Sequence, residues 1–324
     1  MTRFPSTRPA PRPELIAPGS PLYSMLCDAT MLIYPLPAFL LPLLHPATAD
    51  STSRHDYAIG DDAHVGHLVA RVVETFDMVG GVVYGGDDAD EVALSIRELH
   101  RDLGGSVAGE EYHPWSRDLW TWNWAAITAA IMNVHGAIRG WPSDMFRADV
   151  YLGMIEIGRR FGVLGMPDTI ERFDEIWPVE RDRIADTASP AVLKVASTIW
   201  ASGMRRPPRY ESTSPIVWAV ATAPIRHCYR VSIRAGVPAE HRAAMGLPIG
   251  KRDDVYLAVH RLFWRLVPRS VTHRIGERYF ERLVEKGKPV WRRRFSPEAL
   301  EKKREKATPA STIEPREKGA SDAV

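Results

Sequence analysis

The chain has 324 residues, of which 45% are apolar and 25% charged, and its formal net charge is +2. That length can bury a substantial core, and the near-neutral balance gives no whole-molecule field for a nucleic-acid partner. Two cysteines, Cys27 and Cys228, exclude a disulfide framework and a CxxC metal site.

Residues 1–20 are proline-rich and polar and read as a disordered segment. They lack the basic-then-apolar profile of a secretory signal, so a cytoplasmic location is expected. A short helix and a proline-broken apolar segment follow over residues 21–45. The run Met31–Leu44 is too short to span a bilayer and carries Pro35, Pro37 and Pro42. It reads either as a buried strap or as a segment that dips into a membrane surface. A polar loop covers about Thr48–Asp62.

The spacing predicts a helix over His67–Val79, stopped by Gly80–Gly81. Its inward stripe reads Leu68, Arg71, Val72, Thr75, Phe76 and Val79. Arg71 and Thr75 are i, i+4 neighbours, and an arginine on an apolar face needs a partner. That partner is either a core carboxylate or an acidic ligand group. The next stretch, Asp90–Gly105 (DEVALSIRELHRDLGG), reads as one helix with Val92, Ile96, Leu99 and Leu103 on its apolar stripe. His100 lies on the shoulder of that stripe, and Gly104–Gly105 supplies the stop. Alone, it is more simply a hydrogen-bonded core histidine than a metal ligand.

Ser106–Arg117 reads as a loop. Asp118–His135 is apolar almost all round and predicts a central buried helix. Amphipathic helices follow over 144–164, after the capping box Asp168-x-x-Glu171, and from Ser189–Pro190 to Trp200. The linker Arg205–Pro215 is the best internal boundary. Helices at about 216–235, 239–245, 254–267 and 270–286 complete the count. The basic run Lys286–Lys306 opens a charged, disordered tail over 288–324. With no strand-like alternation of useful length, the expected fold is all-α, one large helical domain over 21–287.

The sequence has no GxGxxG after a strand, no GxxxxGK[ST], no HExxH and no GxSxG, and its single Glu-x-x-His spacing, Glu110 to His113, is not the repeated pair that a di-iron bundle needs. What remains is a helical interior with aromatic walls, inward histidines and a polar Arg/Thr pair. Such an interior suits a flat apolar cofactor. Haem needs a neutral histidine and cationic groups for its propionates, and His100 and Arg71 are of those types.

At these residues the chain resembles the MpaB-type oxygenase superfamily, which includes the latex clearing protein rubber oxygenases. The ordered features are His45–Pro46, Arg71-x-x-x-Thr75, Arg97-x-x-His100 followed by Gly104, and a Tyr112–Pro114 loop. A tryptophan helix (Leu119–Ile131), FGVLGMP (Phe161–Pro167) and FDEIW (Phe173–Trp177) come next. The likeness spans roughly residues 40–285. It implies a globin-like haem b core with His100 as the iron ligand. It places Arg71 and Thr75 beside the haem with roles in activity, and Arg97 with Arg71 at the cofactor. Many relatives carry a histidine in the tryptophan helix where this chain has Trp124, and Glu74 stands where some carry a distal lysine. The resemblance further implies a haem b-dependent oxygenase that uses dioxygen on an apolar, isoprenoid- or lipid-like substrate. Two alternatives remain open. One is a non-oxygenase haem protein (sensor, carrier or peroxidase-like). The other is a cofactor-free helical protein at a membrane periphery, using Met31–Leu44 or the basic tail.

Overall fold

The computed structural model describes residues 10–59, 62–186, 189–202 and 205–295. The sequence-based expectations for residues 1–9 and 296–324 lie outside that set. Among the described residues the fold is all-α, with fourteen helices and one short hairpin.

A 3₁₀ turn at Pro13–Ile16 buries Ile16, so the expected disorder of residues 1–20 does not extend over this stretch. The reason is local. The Arg12 backbone N–H donates to Glu156 at 3.0 Å, and Ile16 joins the main core. Three short helices follow: α1 (Pro21–Leu26), α2 (Ala29–Ile33) and α3 (Leu36–Leu40). Pro35, Pro37 and Pro42 fall at the breaks and first turns, where a missing N–H costs least. Met31, Tyr34, Leu36, Leu40, Leu41, Leu43 and Leu44 are all buried. Met31–Leu44 is therefore core, and its reading as a membrane-contact segment is corrected: these side chains are already packed against protein.

The expected polar loop after residue 48 is largely helix α4 (Pro46–His55), with Pro46 in its first turn. His45 caps it, its Nδ1 accepting the Ala47 N–H at 3.2 Å. Helix α5 (Val65–Tyr84) runs straight through Gly80–Gly81. Both glycines are buried in the helix, so tertiary packing overrides their low propensity. Helix α6 (Ala89–Leu99) packs on α5 and ends five residues earlier than the glycine pair suggested. The expected loop contains an antiparallel hairpin, β1 (Gly105–Val107) and β2 (Glu110–Tyr112). Ala108 and Gly109, both at positive φ, make its turn.

The central element is α7 (Arg117–Ile138). Thirteen of its residues are buried, including Trp122, Trp124 and His135. Helices α8 (Asp144–Arg160), α9 (Ile170–Ile184) and α10 (Pro190–Ser202) follow. Thr169 rather than Asp168 caps α9, accepting the Arg172 N–H at 3.2 Å. Beyond the linker come α11 (Pro215–Gly236), α12 (Ala239–Ala244), α13 (Arg252–Leu266) and α14 (Arg269–Phe295). The linker does not divide the core. Helix α11 packs on α3 and α7, and Ile233, Val237 and Leu247 share one apolar cluster with Ile16, Leu40 and Trp122. Helix α14 continues eight residues beyond the expected start of the tail at 288.

Arg139, the C-cap of α7, clamps this arrangement. Its Nε donates to Asp28 at 3.0 Å and its Nη2 to Thr272 at 3.1 Å. Nη1 reaches the carbonyls of Trp264 and Val267. Thr272 in turn donates to Asp28 at 3.0 Å. Both ionic side chains are almost wholly buried. Helices α2, α7, α13 and α14 are thus tied at one point.

Two outcomes follow from this packing. Arg139→Met strands the Asp28 carboxylate and lowers stability by about 3–5 kcal/mol in a urea titration. His135 is 2% exposed, and neither ring nitrogen has a hydrogen-bond partner among the described residues. Burial pushes it down to about 4. The unfolded chain therefore takes up this proton first, so stability is lost as pH falls from about 6.5 to 4, by up to about 3 kcal/mol. In His135→Phe that part of the acid dependence is absent, and stability at pH 7 is unchanged or higher. A steeper acid loss in the variant would contradict the assignment.

Candidate functional site

His100 owes its geometry to the end of α6. In a continued helix its backbone N–H would bond the Ile96 carbonyl. Instead that N–H bonds the Arg97 carbonyl at 3.1 Å, tightening the last turn. The freed Ile96 carbonyl is taken by the His100 ring, with Nδ1 at 2.7 Å. A carbonyl only accepts, so Nδ1 carries the proton and Nε2 keeps its lone pair. One local rearrangement both ends the helix and fixes the tautomer.

The ring lies deep enough that desolvation, the largest cause, holds its pKa below the ordinary value. The Ile96 bond raises it in part, and the nearby Arg71 charge lowers it further. At neutral pH the imidazole is uncharged. The Ile96 bond is the one hydrogen bond of the ring among the described residues, and the residue is half-buried rather than sealed. The Trp120 ring stands edge-on at 5.8 Å, and Phe161 stacks on Trp120 at 6.4 Å. The Trp120 indole N–H is buried without a partner among the described residues.

Arg71 is held on α5 by two bonds. Nε donates to Asp56 at 2.7 Å, and Nη1 donates to the Thr75 hydroxyl at 2.7 Å. The Thr75 hydroxyl donates back to the Arg71 carbonyl at 2.9 Å. The pair expected from i, i+4 spacing therefore forms, and of the two partners foreseen for Arg71 the carboxylate is present. Asp56 lies just past α4, in another element, and no periodicity connects it to Arg71. Val72, Thr75, Phe76 and Val79 beside it are half-buried, whereas Leu68 is buried.

Arg97 is placed differently. Its guanidinium lies over the Trp115 ring at 5.0 Å and against Gly162, where a Cβ would meet Nη1 at 2.7 Å. Trp115 donates its indole N–H to the Arg97 carbonyl at 2.9 Å. Arg97 Nε is buried and has no hydrogen-bond partner among the described residues. Trp124, at the place where many relatives carry histidine, is a core residue. Its indole bonds the Met154 carbonyl at 2.8 Å, and its ring packs on Tyr151 and Phe173. Asn123 is half-buried and accepts from Thr48 at 3.2 Å. Glu74 accepts from Tyr57 at 3.2 Å, and burial with the Glu74 charge pushes that phenol up to about 12.

Sequence reasoning missed a polar triad that fixes the hairpin to α4. Tyr112 donates to Asp50 at 2.8 Å, Arg54 donates to Tyr112 at 2.7 Å, and Arg54 also pairs with Asp50. His45, the first feature of the sequence likeness, has its ring edge-on to Trp122 at 5.7 Å, and burial pushes its pKa down to about 4. Among the described residues one histidine–acid group has ligand spacing, Asp182 with Glu240 and His241. The Arg181 guanidinium already bonds both carboxylates there.

Fold and geometry define a class: an all-α protein in which a neutral, singly hydrogen-bonded histidine lies within the field of an arginine on the adjoining helix. The family model for the ER-bound oxygenase mpaB/B'/Rubber oxygenase catalytic domain matches residues 24–269, and the chain belongs to that oxygenase family. The match begins within α1, takes in α2 and α3 ahead of the start of the sequence likeness at about residue 40, and stops at the first residue of α14. No curated protein and no solved structure matches the chain.

The field of Arg71 on His100 gives a direct measurement. In Arg71→Gln protein without added cofactor, the His100 pKa rises while staying below the free-histidine value, because burial persists. A nitrogen-detected NMR titration of the imidazole checks this; an unchanged or lower value would break the proposed proximity.

Proposed function

We propose that the protein is a haem b-dependent oxygenase that acts with dioxygen on an apolar, isoprenoid- or lipid-like substrate, with His100 as the iron ligand. The observation that carries this reading is the His100 ring. Its Nδ1–H is spent on the Ile96 carbonyl, and its neutral Nε2 has no hydrogen-bond partner among the described residues. That is the arrangement a metal-ligating histidine needs, since the bond at the far nitrogen fixes ring orientation and raises ligand basicity.

The surrounding residues suit the same group. Haem would supply the iron chemistry that activates dioxygen. Arg71 offers a charge already positioned by Asp56 and Thr75. It would hold a propionate or polarise a bound small molecule. Arg97, with its buried unpartnered Nε beside Trp115, is the second cation of the site. Trp120 and Phe161 supply an aromatic wall beside His100, and Val72, Phe76 and Val79 on α5 are half-buried apolar residues. These side chains exclude water and favour an apolar substrate over a charged one. Oxygenase membership supports the reaction class, and the substrate class rests on the apolar lining alone.

Expression with haem supply followed by an absorption spectrum tests the reading. The expected result is a Soret band that His100→Ala loses and that His100→Gly recovers with added imidazole. Oxygen uptake with long-chain alkenes then separates an oxygenase from a haem protein of another kind. A colourless wild-type protein, or an unaltered band in His100→Ala, would overturn the assignment.

A further inference from the structure

Helix α13 has two apolar faces. One is used: Leu257 and Trp264 are buried with Met31, Tyr34, Val134 and Ile138. The other is open. Val255, Val259, Leu262, Phe263 and Leu266 are each more than half exposed. At the helical rotation per residue these five fall within about 100° of arc, nearly opposite Leu257 and Trp264. Apolar area of this kind normally needs a cover.

The stripe continues beyond the helix. Past the Pro268 corner, Val271 and Ile275 are exposed at i, i+4 on α14. On α11, Ile216, Val217 and Val220 are more than half exposed. Helices α11 and α13 run antiparallel, with Arg230 bonded to Asp253 and His227 to His260. Continuing that register back along α11 and forward along α13 brings Val220 level with the Leu266 end.

Charge identifies what covers it. Residues 251–282 hold eight basic and four acidic side chains. Two of the acids are neutralised on the protein side: Asp253 is bonded by Arg230 and Asp254 pairs with Arg234. On α14, Glu277 and Glu281 are outnumbered two to one by Arg269, Arg274, Arg278 and Arg282. By contrast Arg265, Arg274, Arg278 and Arg282 are exposed and make no ion pair among the described residues. An aliphatic stripe bordered by unpaired arginines matches the boundary of an anionic bilayer, acyl chains beneath phosphates.

We propose that this face docks on an anionic lipid surface, with α13 lying in the interface plane and the arginines on the headgroup phosphates. A second copy of the chain fits less well, because two-fold pairing would set the same unpaired arginines against one another. The chain's own residues 296–324 offer only Leu300, Ile313 and Val324 as large aliphatics, too few to cover the stripe.

Flotation of the full-length protein with phosphatidylcholine vesicles, with and without phosphatidylserine, tests this. Binding is expected to the anionic vesicles and to weaken with salt. Leu262→Ser with Phe263→Ser and Leu266→Ser changes only exposed positions and leaves the circular dichroism spectrum intact. That triple variant, and separately Arg274→Glu with Arg278→Glu, are each expected to cut binding by about tenfold or more. Equal flotation of wild type and variants would overturn the proposal. So would absence of vesicle binding together with a wild-type dimer in light scattering that the serine variant abolishes, which would make the face an interface between copies. Flotation is read without any cofactor, so its failure would leave the oxygenase reading intact, and the reverse.

Discussion

A helix without a polar face must be enclosed, and α7 is such a helix. Its tryptophans and alanines are mostly buried, with only Arg117, Asp118 and Asn133 exposed, and α2, α3, α8, α11 and α13 pack around it. Enclosure creates a second demand, because each polar atom carried inward needs a partner. Trp122 finds the Pro42 carbonyl, Trp124 the Met154 carbonyl and Thr121 the Leu164 carbonyl. At the end of the helix, Arg139 and Asp28 close the arrangement as a buried pair. Such a pair is worth little against an apolar substitute, but removing one half of it is costly. Its consequence is positional: four helices share one fixed point.

Against that background the unpartnered groups stand out. Trp120, near the start of α7, keeps a buried indole N–H without an acceptor, and it faces His100. His100 keeps an unprotonated nitrogen for the same local reason that ends its helix. Arg71 is the opposite case. Its guanidinium is fixed by Asp56 and Thr75 before any ligand arrives, so little conformational entropy remains to be lost on binding. In the reading proposed above, one neutral nitrogen and one fixed cation would together receive a planar acidic cofactor. The chemistry would belong to that cofactor, with the protein setting ligand, charge and dryness.

Apolarity along the chain and apolarity at the surface turned out to be different things. Met31–Leu44 is the most apolar run of the N-terminal part, and it is core. The open aliphatic surface lies on α13, a helix with Asp253, Asp254 and several arginines whose average character is unremarkable. No helix among the described residues is long and apolar enough to cross a membrane. What distinguishes α13 is the number of its apolar faces, since one helix can bury only the face its neighbours reach.

The sequence by itself determined the helical periods, the proline breaks, the enclosed tryptophan helix and the Arg71–Thr75 neighbourhood. All of these depend on contacts within a turn or two of one element. The order of Arg71, Thr75, Arg97 and His100 was legible too, and with it the family. Tertiary structure decided the rest. Gly80–Gly81 stay helical because they are packed. α6 stops at His100 because a ring replaces a backbone donor at Ile96. Arg71 meets Asp56, and Arg97 lies over Trp115, through contacts between separate elements. Which of the two apolar faces of α13 is buried was likewise settled by its neighbours. A one-dimensional pattern records how often a residue type recurs along a helix. It does not record which other element arrives at that face, and hydrogen-bond partners, burial and pKa all depend on that arrival.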